Sequence, residues 1–241
     1  MKRWFWIFAA VVALAVFGLG NVFAQQDACY ARNGIWNIDE ARCEMHSGVV
    51  VNIIYPVDLA GTGIAEQMID TFLNDTRASF IATYAPDWAL PAYVNNWAMN
   101  ISYELFQFSD EVQSVKFDIS YYTGGAHPNL EFRTFTFDLA QQQMLALTDI
   151  FQDGVNPWPT LAPLVIEDVT EQLGEAAEPT WINDGTGENP DNYRSFALTP
   201  DSLVFFLPPY QVTAYAYGPV TVEIPLASIS NLLKPEFVPQ A

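Results

Sequence analysis

The sequence predicts an α+β protein, with two helices packed on antiparallel sheets and two sequential helix-plus-sheet subdomains. Three observations predict it. Two segments repeat apolar residues at helical spacing. Several short runs alternate apolar with polar residues or are rich in β-branched ones. The order along the chain is strand, helix, several strands, helix, several strands. With 51% hydrophobic and 15% aromatic residues, the chain has enough apolar mass for a packed core and is not a disordered polypeptide.

The first strand is the β-branched run from Gly48 to Val57, closed by Pro56. A helix follows over 64–82. Ile64, Met68 and Phe72, with Ala65, Ile69 and Leu73, recur at helical spacing and give it one apolar face. Glu66 and Asp70 fall near the start, where the helix dipole favours acids. Segments 97–108, 112–122 and 130–139 alternate well enough to form three antiparallel strands in a meander, with a Gly-containing turn at 123–129. After a short connector at Leu147–Phe151, a second helix is predicted over 157–174. Leu161, Leu164, Val165, Val169 and Leu173 form its stripe, and Pro163 is placed in its first turn. The stretch 174–192, rich in Gly, Pro and acid, reads as a mobile surface loop. Strands are predicted at 196–198, 203–207 and 220–224. The tail 234–241, with two prolines, is expected to fray. The subdomains predicted on this reading are 48–140 and 141–233.

The N-terminus has the three parts of a secretory signal: Lys2 and Arg3, an uncharged run from Trp4 to Gly20, and Val22-Phe23-Ala24 at the end. The expected signal is 1–24, cleaved after Ala24, which makes the protein extracytoplasmic, periplasmic or secreted. The alternative is an uncleaved anchor, since the run is long enough to cross a bilayer. The membrane is then engaged only through this leader. Cys29 and Cys43 flank an Asn33-Gly34 turn. In an oxidising compartment they are expected to pair and to staple a hairpin over 25–47. A metal site needs more ligands than this segment offers, with His46 its only imidazole.

The formal net charge is −19. Removing Lys2 and Arg3 from nine basic residues leaves seven against 28 acidic ones, a net of −21 for the mature chain. Such a chain repels nucleic acid and anionic membrane surfaces and attracts cations and basic proteins. An acidic surface also serves solubility alone.

Four stretches carry a family signal. They are Phe117–Asn129, which contains Tyr122 and the Gly124-Gly125-Ala126-His127-Pro128-Asn129 turn; Leu147-Thr148-Asp149-Ile150-Phe151; Phe196-Ala197-Leu198 with Leu203-Val204-Phe205-Phe206; and Pro209–Pro219, which contains Tyr210 and Tyr215 and leads to Val222-Glu223-Ile224-Pro225. Together they resemble the paired uncharacterised extracytoplasmic domains of the RsiV and PdaC type, over residues 48–233. One member of that family is the ectodomain of an anti-sigma factor that binds lysozyme. Another precedes the catalytic domain of a peptidoglycan deacetylase. With three residues ahead of the apolar run, a sigma-binding segment is not expected. The chain also has no Asp-Asp or His-x-x-x-His metal pair of a deacetylase. The resemblance thus implies the accessory module alone, with a wall glycan or a basic, lysozyme-like protein as partner.

The candidate binding residues are Tyr122, Gly124, Gly125, His127, Asn129, Tyr210 and Tyr215. His127 is the candidate general base if the protein is a wall hydrolase or deacetylase-like enzyme. The architectural reading is that Gly124 and Gly125 supply positive φ and His127 and Asn129 cap the turn. Tyr210, Tyr215 and Tyr217, with Trp88, Trp158 and Trp181, could stack on sugar rings or fill the core. In a regular strand, Tyr210 and Tyr215 face opposite ways. The acids of the 171–191 segment lack calcium-loop spacing. No cofactor and no metal are implied.

Overall fold

The computed structural model describes residues 35–39, 42–44, 49–56, 59, 63–84 and 97–239. The leader 1–24 and the Cys29–Cys43 bridge lie outside the described residues and side chains. The chain folds into two compact units that interleave in sequence. Of the described residues, the smaller holds 35–39, 42–44, 49–50, 79–84, 97–98 and 122–127, and the larger 51–56, 59, 63–78, 99–121 and 128–239.

Described elements of the smaller unit include a hairpin of β1 (Ile35–Asn37) and β2 (Arg42–Glu44), paired antiparallel with Trp36 opposite Cys43. Its reversal begins at Ile38-Asp39, downstream of the Asn33-Gly34 pair favoured by sequence, which itself lies outside the described residues. Phe80, Tyr84 and Trp97 pack in series, the first pair tilted and the second edge-on, with ring centroids 4.8 and 5.2 Å apart.

The α+β architecture is that of the sequence reading, but the sheets are not wholly antiparallel. A five-stranded sheet has the order β3 (Val50–Ile53), β4 (Ala98–Gln107), β5 (Val112–Tyr122), β6 (Asn129–Asp138), β7 (Gln143–Leu145). The amides of Val50 and Ile54 donate to the carbonyls of Trp97 and Ile101, at 2.9 and 2.8 Å. Partners that rise together in number make this pair parallel, with helix α1 (Ile64–Tyr84) as its crossover. β4, β5 and β6 form the expected three-stranded meander, and β7, which the sequence reading did not include, extends it antiparallel to β6.

In the larger unit, α1 covers one face of this sheet. Ala65, Ile69 and Leu73 are buried, and Phe72 meets Phe117 and Phe135 with centroids 5.3 and 5.5 Å apart. Burying each such aromatic is worth roughly 1.5–3 kcal/mol. The first turn of α1 is held from the β6–β7 turn. Gln142, in the left-handed region at φ +54°, accepts the Ile64 amide on its side chain at 3.3 Å.

The opposite face is covered by a second sheet of β8 (Phe196–Leu198), β9 (Ser202–Leu207) and β10 (Val220–Pro225), antiparallel in the order β10-β9-β8. Ala197, Val204 and Phe206 turn toward Phe106 and Phe132 of the first sheet. On their other side, Phe196, Leu198, Leu203, Phe205, Val222 and Ile224 join the main core with α2 (Trp158–Leu173) and α3 (Pro179–Thr186).

Four polar residues of the meander, Ser114, Lys116, Thr134 and Thr136, are therefore interior. Ser114 shares a 2.9 Å hydrogen bond with Thr136 and accepts the Leu198 amide at 3.1 Å; Thr134 accepts the Phe196 amide at 3.1 Å. These hydroxyls satisfy strand amides that would otherwise be buried without partners. Lys116, 8% exposed, forms ion pairs with Asp118 at 3.0 Å and Glu104 at 3.3 Å. Its ammonium also lies 4.7 Å from the Phe132 ring and 4.9 Å from that of Phe206.

Three local expectations are corrected. The 174–192 stretch is not a loop throughout. It contains α3, whose first amides at Thr180 and Trp181 are capped by the Glu178 carboxylate at 3.1 Å, with Pro179 in the first helical position. A 3₁₀ turn at Pro190–Tyr193 follows. Pro163 sits inside α2 rather than in its first turn, where Pro159 stands. The tail is anchored through its first residues. Phe237 is buried, and its ring lies 5.6 Å from that of Phe108. The Lys234 amide donates to Ile150.

Candidate functional site

The Pro208–Gly218 segment joins β9 to β10 within the larger unit, and it is not a strand. Pro208 and Pro209 cannot donate to a ladder. Tyr210 then takes φ +73°, a left-handed conformation rare for a bulky residue. The Gln211 amide closes the reversal onto the Pro208 carbonyl at 3.1 Å. A 3₁₀ turn at Tyr215–Tyr217 ends at Gly218, φ +77°. The strand parity expected from sequence therefore fails, and Tyr210 and Tyr215 come together with ring centroids 5.7 Å apart.

The neighbouring frame holds this loop. The indole N–H of Trp181 donates to the Tyr210 carbonyl at 2.9 Å. The side-chain amide of Gln211 donates to the carbonyls of Gly185 at 2.8 Å and Asn192 at 2.9 Å. A Cβ on Gly185 would stand 2.1 Å from the Gln211 carbonyl oxygen, so only glycine allows this approach. Val212 and Thr213 are buried beneath. Tyr193 is buried too: its hydroxyl donates to the Thr186 carbonyl, and its ring lies between Trp158 at 5.2 Å and Phe205 at 5.1 Å. Burial, with a smaller contribution from Glu188, pushes the Tyr193 phenol far above its ordinary value, so it stays neutral.

Tyr210 is nevertheless 52% exposed, Tyr217 60% and Trp181 36%, while Tyr215 is half-buried. Aromatic surface held on a fixed frame and left open to solvent forms a shelf. It can offer ring faces for stacking and hydroxyl groups for hydrogen bonds. Trp181 joins it from α3, the helix that sequence reasoning missed. Trp158 is partly buried and packs against the core, and Trp88 lies outside the described residues.

The other candidates belong to the Gly-Gly turn. Gly124 and Gly125 take φ +89° and +110°, with nothing near enough to touch an added Cβ. The Tyr122 hydroxyl donates to the Gly125 carbonyl at 3.1 Å. His127 is half-buried, and Asn129 opens β6 opposite Tyr121. Tyr122, Gly124, Gly125 and His127 fall in the smaller unit. Asn129, Tyr210 and Tyr215 fall in the larger. Among the described residues, no group of three His, Cys, Asp or Glu is placed to hold a metal ion. Among them, too, no helix is long and apolar enough to cross a membrane.

Residues 148–227 match the family model described as protein of unknown function, DUF3298. That span runs from the 3₁₀ turn after β7 through α2, α3 and the second sheet, and it contains the aromatic shelf. The chain is 24% identical over 143 residues to the peptidoglycan-N-acetylmuramic acid deacetylase PdaC of Bacillus subtilis. The match covers 59% of this chain but only 31% of that protein. It is 25% identical over 195 residues to the esterase Rv3036c of Mycobacterium tuberculosis, covering 79% and 82% of the two chains. A crystal structure of a DUF3298-family protein of Bacteroides fragilis superposes with a TM-score of 0.49 at 21% identity, covering 70% and 68%. The family-model match and the likeness to PdaC together make residues 148–227 a PdaC-like DUF3298 domain, the family type that the motifs resemble.

Proposed function

We propose that the protein is an extracytoplasmic, secreted or periplasmic binding module of the cell envelope, without catalysis of its own, and that the shelf takes sugar rings of a peptidoglycan-derived glycan. The observation that carries this reading is the exposed aromatic set of Tyr210 and Tyr217, on a loop clamped by Gln211, and Trp181, on α3 and bonded to that loop. Fixed rings lose little entropy on binding, so stacking is not offset by ordering the loop. The relative named as a peptidoglycan deacetylase supports the choice of ligand. A soluble peptidoglycan fragment titrated by calorimetry tests it. Trp181→Ala and Tyr210→Ala should each weaken binding about tenfold, roughly 1.4 kcal/mol. Unchanged affinity in both variants would remove the shelf from the reading.

The excess of acid favours a basic protein such as a lysozyme as the alternative partner. Its capture should fall steeply with salt, whereas stacking on sugars should not. The esterase relative favours a hydrolase reading in which His127 acts as base. In that case His127→Ala abolishes turnover of a p-nitrophenyl ester and leaves the melting temperature in place.

A further inference from the structure

A groove of about 450 Å³ runs between α1 and β6 in the larger unit, a size within the ~300–1,000 Å³ usual for small-ligand sites. Its apolar lining comes from Ile64, Met68 and Phe72, four residues apart on one stripe of the helix, and from Phe135 of the strand. The adjacent stripe of Ala65, Ile69 and Leu73 fills the core, so α1 has a second apolar stripe that is only half-buried.

The polar lining is asymmetric. Gln67, Thr71 and Asp75 come from the helix and Arg133 from the strand. The Arg133 guanidinium lies 4.8 Å over the Phe135 ring. It makes no ion pair among the described residues, in a chain with 28 acidic residues against nine basic. A guanidinium held by its face keeps its N–H groups along its edge, where they match the two oxygens of a carboxylate.

We propose that this groove binds a small aliphatic monocarboxylate, its chain on Met68, Phe72 and Phe135 and its carboxylate on Arg133. Asp75 restricts the site to one anionic group, because a second would face like charge. The ligand and its residues are separate from the aromatic shelf, so the two readings fail independently.

Decanoate below its micelle-forming concentration, titrated into the full chain by calorimetry, tests the site. Decanol and decyltrimethylammonium serve as the neutral and cationic arms. One decanoate should bind per chain, more tightly than either control. Arg133→Gln should weaken decanoate about tenfold or more without moving the melting temperature, the scale of a lost charge-assisted pair. Asp75→Asn should tighten it severalfold. Absence of saturable binding overturns the proposal. So does equal binding of all three amphiphiles, which marks detergent adsorption. Decanoate affinity unchanged in Arg133→Gln removes the charge-led site, and weaker binding in Asp75→Asn assigns the groove to a zwitterion instead.

Discussion

The five-stranded sheet carries one cation on each face, and their surroundings differ. Lys116 on β5 and Arg133 on β6 lie on adjacent strands, Lys116 opposite Thr134 and Arg133 opposite Phe117. Lys116 is enclosed by two carboxylates and two aromatic rings beneath the second sheet. Arg133 rests on one ring at the side of a groove, with no carboxylate partner among the described residues. A buried charge whose bonding capacity is used up locally holds layers together. An exposed charge on an apolar support retains its capacity for something else.

Lys116→Met is the strongest way to break that contrast. Methionine keeps the volume but leaves Glu104 and Asp118 without their cation. Removing one partner of a fully buried pair costs about 3–5 kcal/mol; because both carboxylates still reach water, a loss of about 2–3 kcal/mol is expected in urea denaturation. Adding Asp118→Asn should restore part of it, since one of the two unpaired charges is then gone. A neutral Lys116→Met would mean that the cage is incidental.

Gly185→Ala extends the comparison to the shelf. A Cβ placed 2.1 Å from the Gln211 carbonyl oxygen must push backbone, not a flexible side chain, and overpacking of this kind costs about 1–3 kcal/mol. The near-UV circular dichroism of the aromatic cluster should change with it. Stability within 0.5 kcal/mol of the parent would show that the loop is not clamped.

These contacts explain which parts of the molecule were legible in the sequence. α1, α2 and the meander were, because their periodicities are local: Ile69 and Leu73 point inward whatever they meet. The parallel pairing of β3 with β4 was not, since a β-branched run such as Val50–Ile53 suits either direction and the direction is set by the helix between them. The interior position of Ser114 and Lys116 was equally hidden. Alternation of polar with apolar residues describes a strand with one wet face, and only the arrival of β8 and β9 closes the polar face of this one. α3 had a readable signal in Glu178-Pro179, an acid before proline, followed by Trp181-Ile182; the polar composition of the stretch masked it. At the candidate site, Tyr210 and Tyr215 were found by motif and misplaced by parity, because positive φ at Tyr210 accompanies anchoring of Gln211 to residues far away in sequence.

Tyr193 offers a gentler test of how a buried polar group is satisfied. Its phenol ionises more readily in the unfolded chain, near pH 10, than in the folded one, where burial holds the proton. Its contribution is thus fully present below pH 10 and declines as the pH rises beyond it. Tyr193→Phe should cost about 1 kcal/mol at neutral pH, from the lost bond to Thr186, and should lose less of its remaining stability between pH 10 and 12 than the parent does. Parallel pH profiles would mean that the phenol ionises equally in both states.

Arg133→Gln carries the smallest expected effect on stability and sharpens the contrast most. If the guanidinium has no structural partner beyond the Phe135 ring, its removal forfeits one exposed cation–π contact, worth about 0.5–1 kcal/mol at most. Glutamine retains enough of the stem to cover the same ring in part, which brings the expected change under about 0.5 kcal/mol. A thermal shift beyond about 3 °C would place Arg133 alongside Lys116 as a structural cation, given that 1 kcal/mol moves the midpoint of a domain this size by about 2–4 °C. The groove would then be a by-product of packing. With stability unchanged, the sheet tolerates loss of the Arg133 charge but not of Lys116, and a cation with no ion pair among the described residues of so acidic a chain is left to what the groove binds.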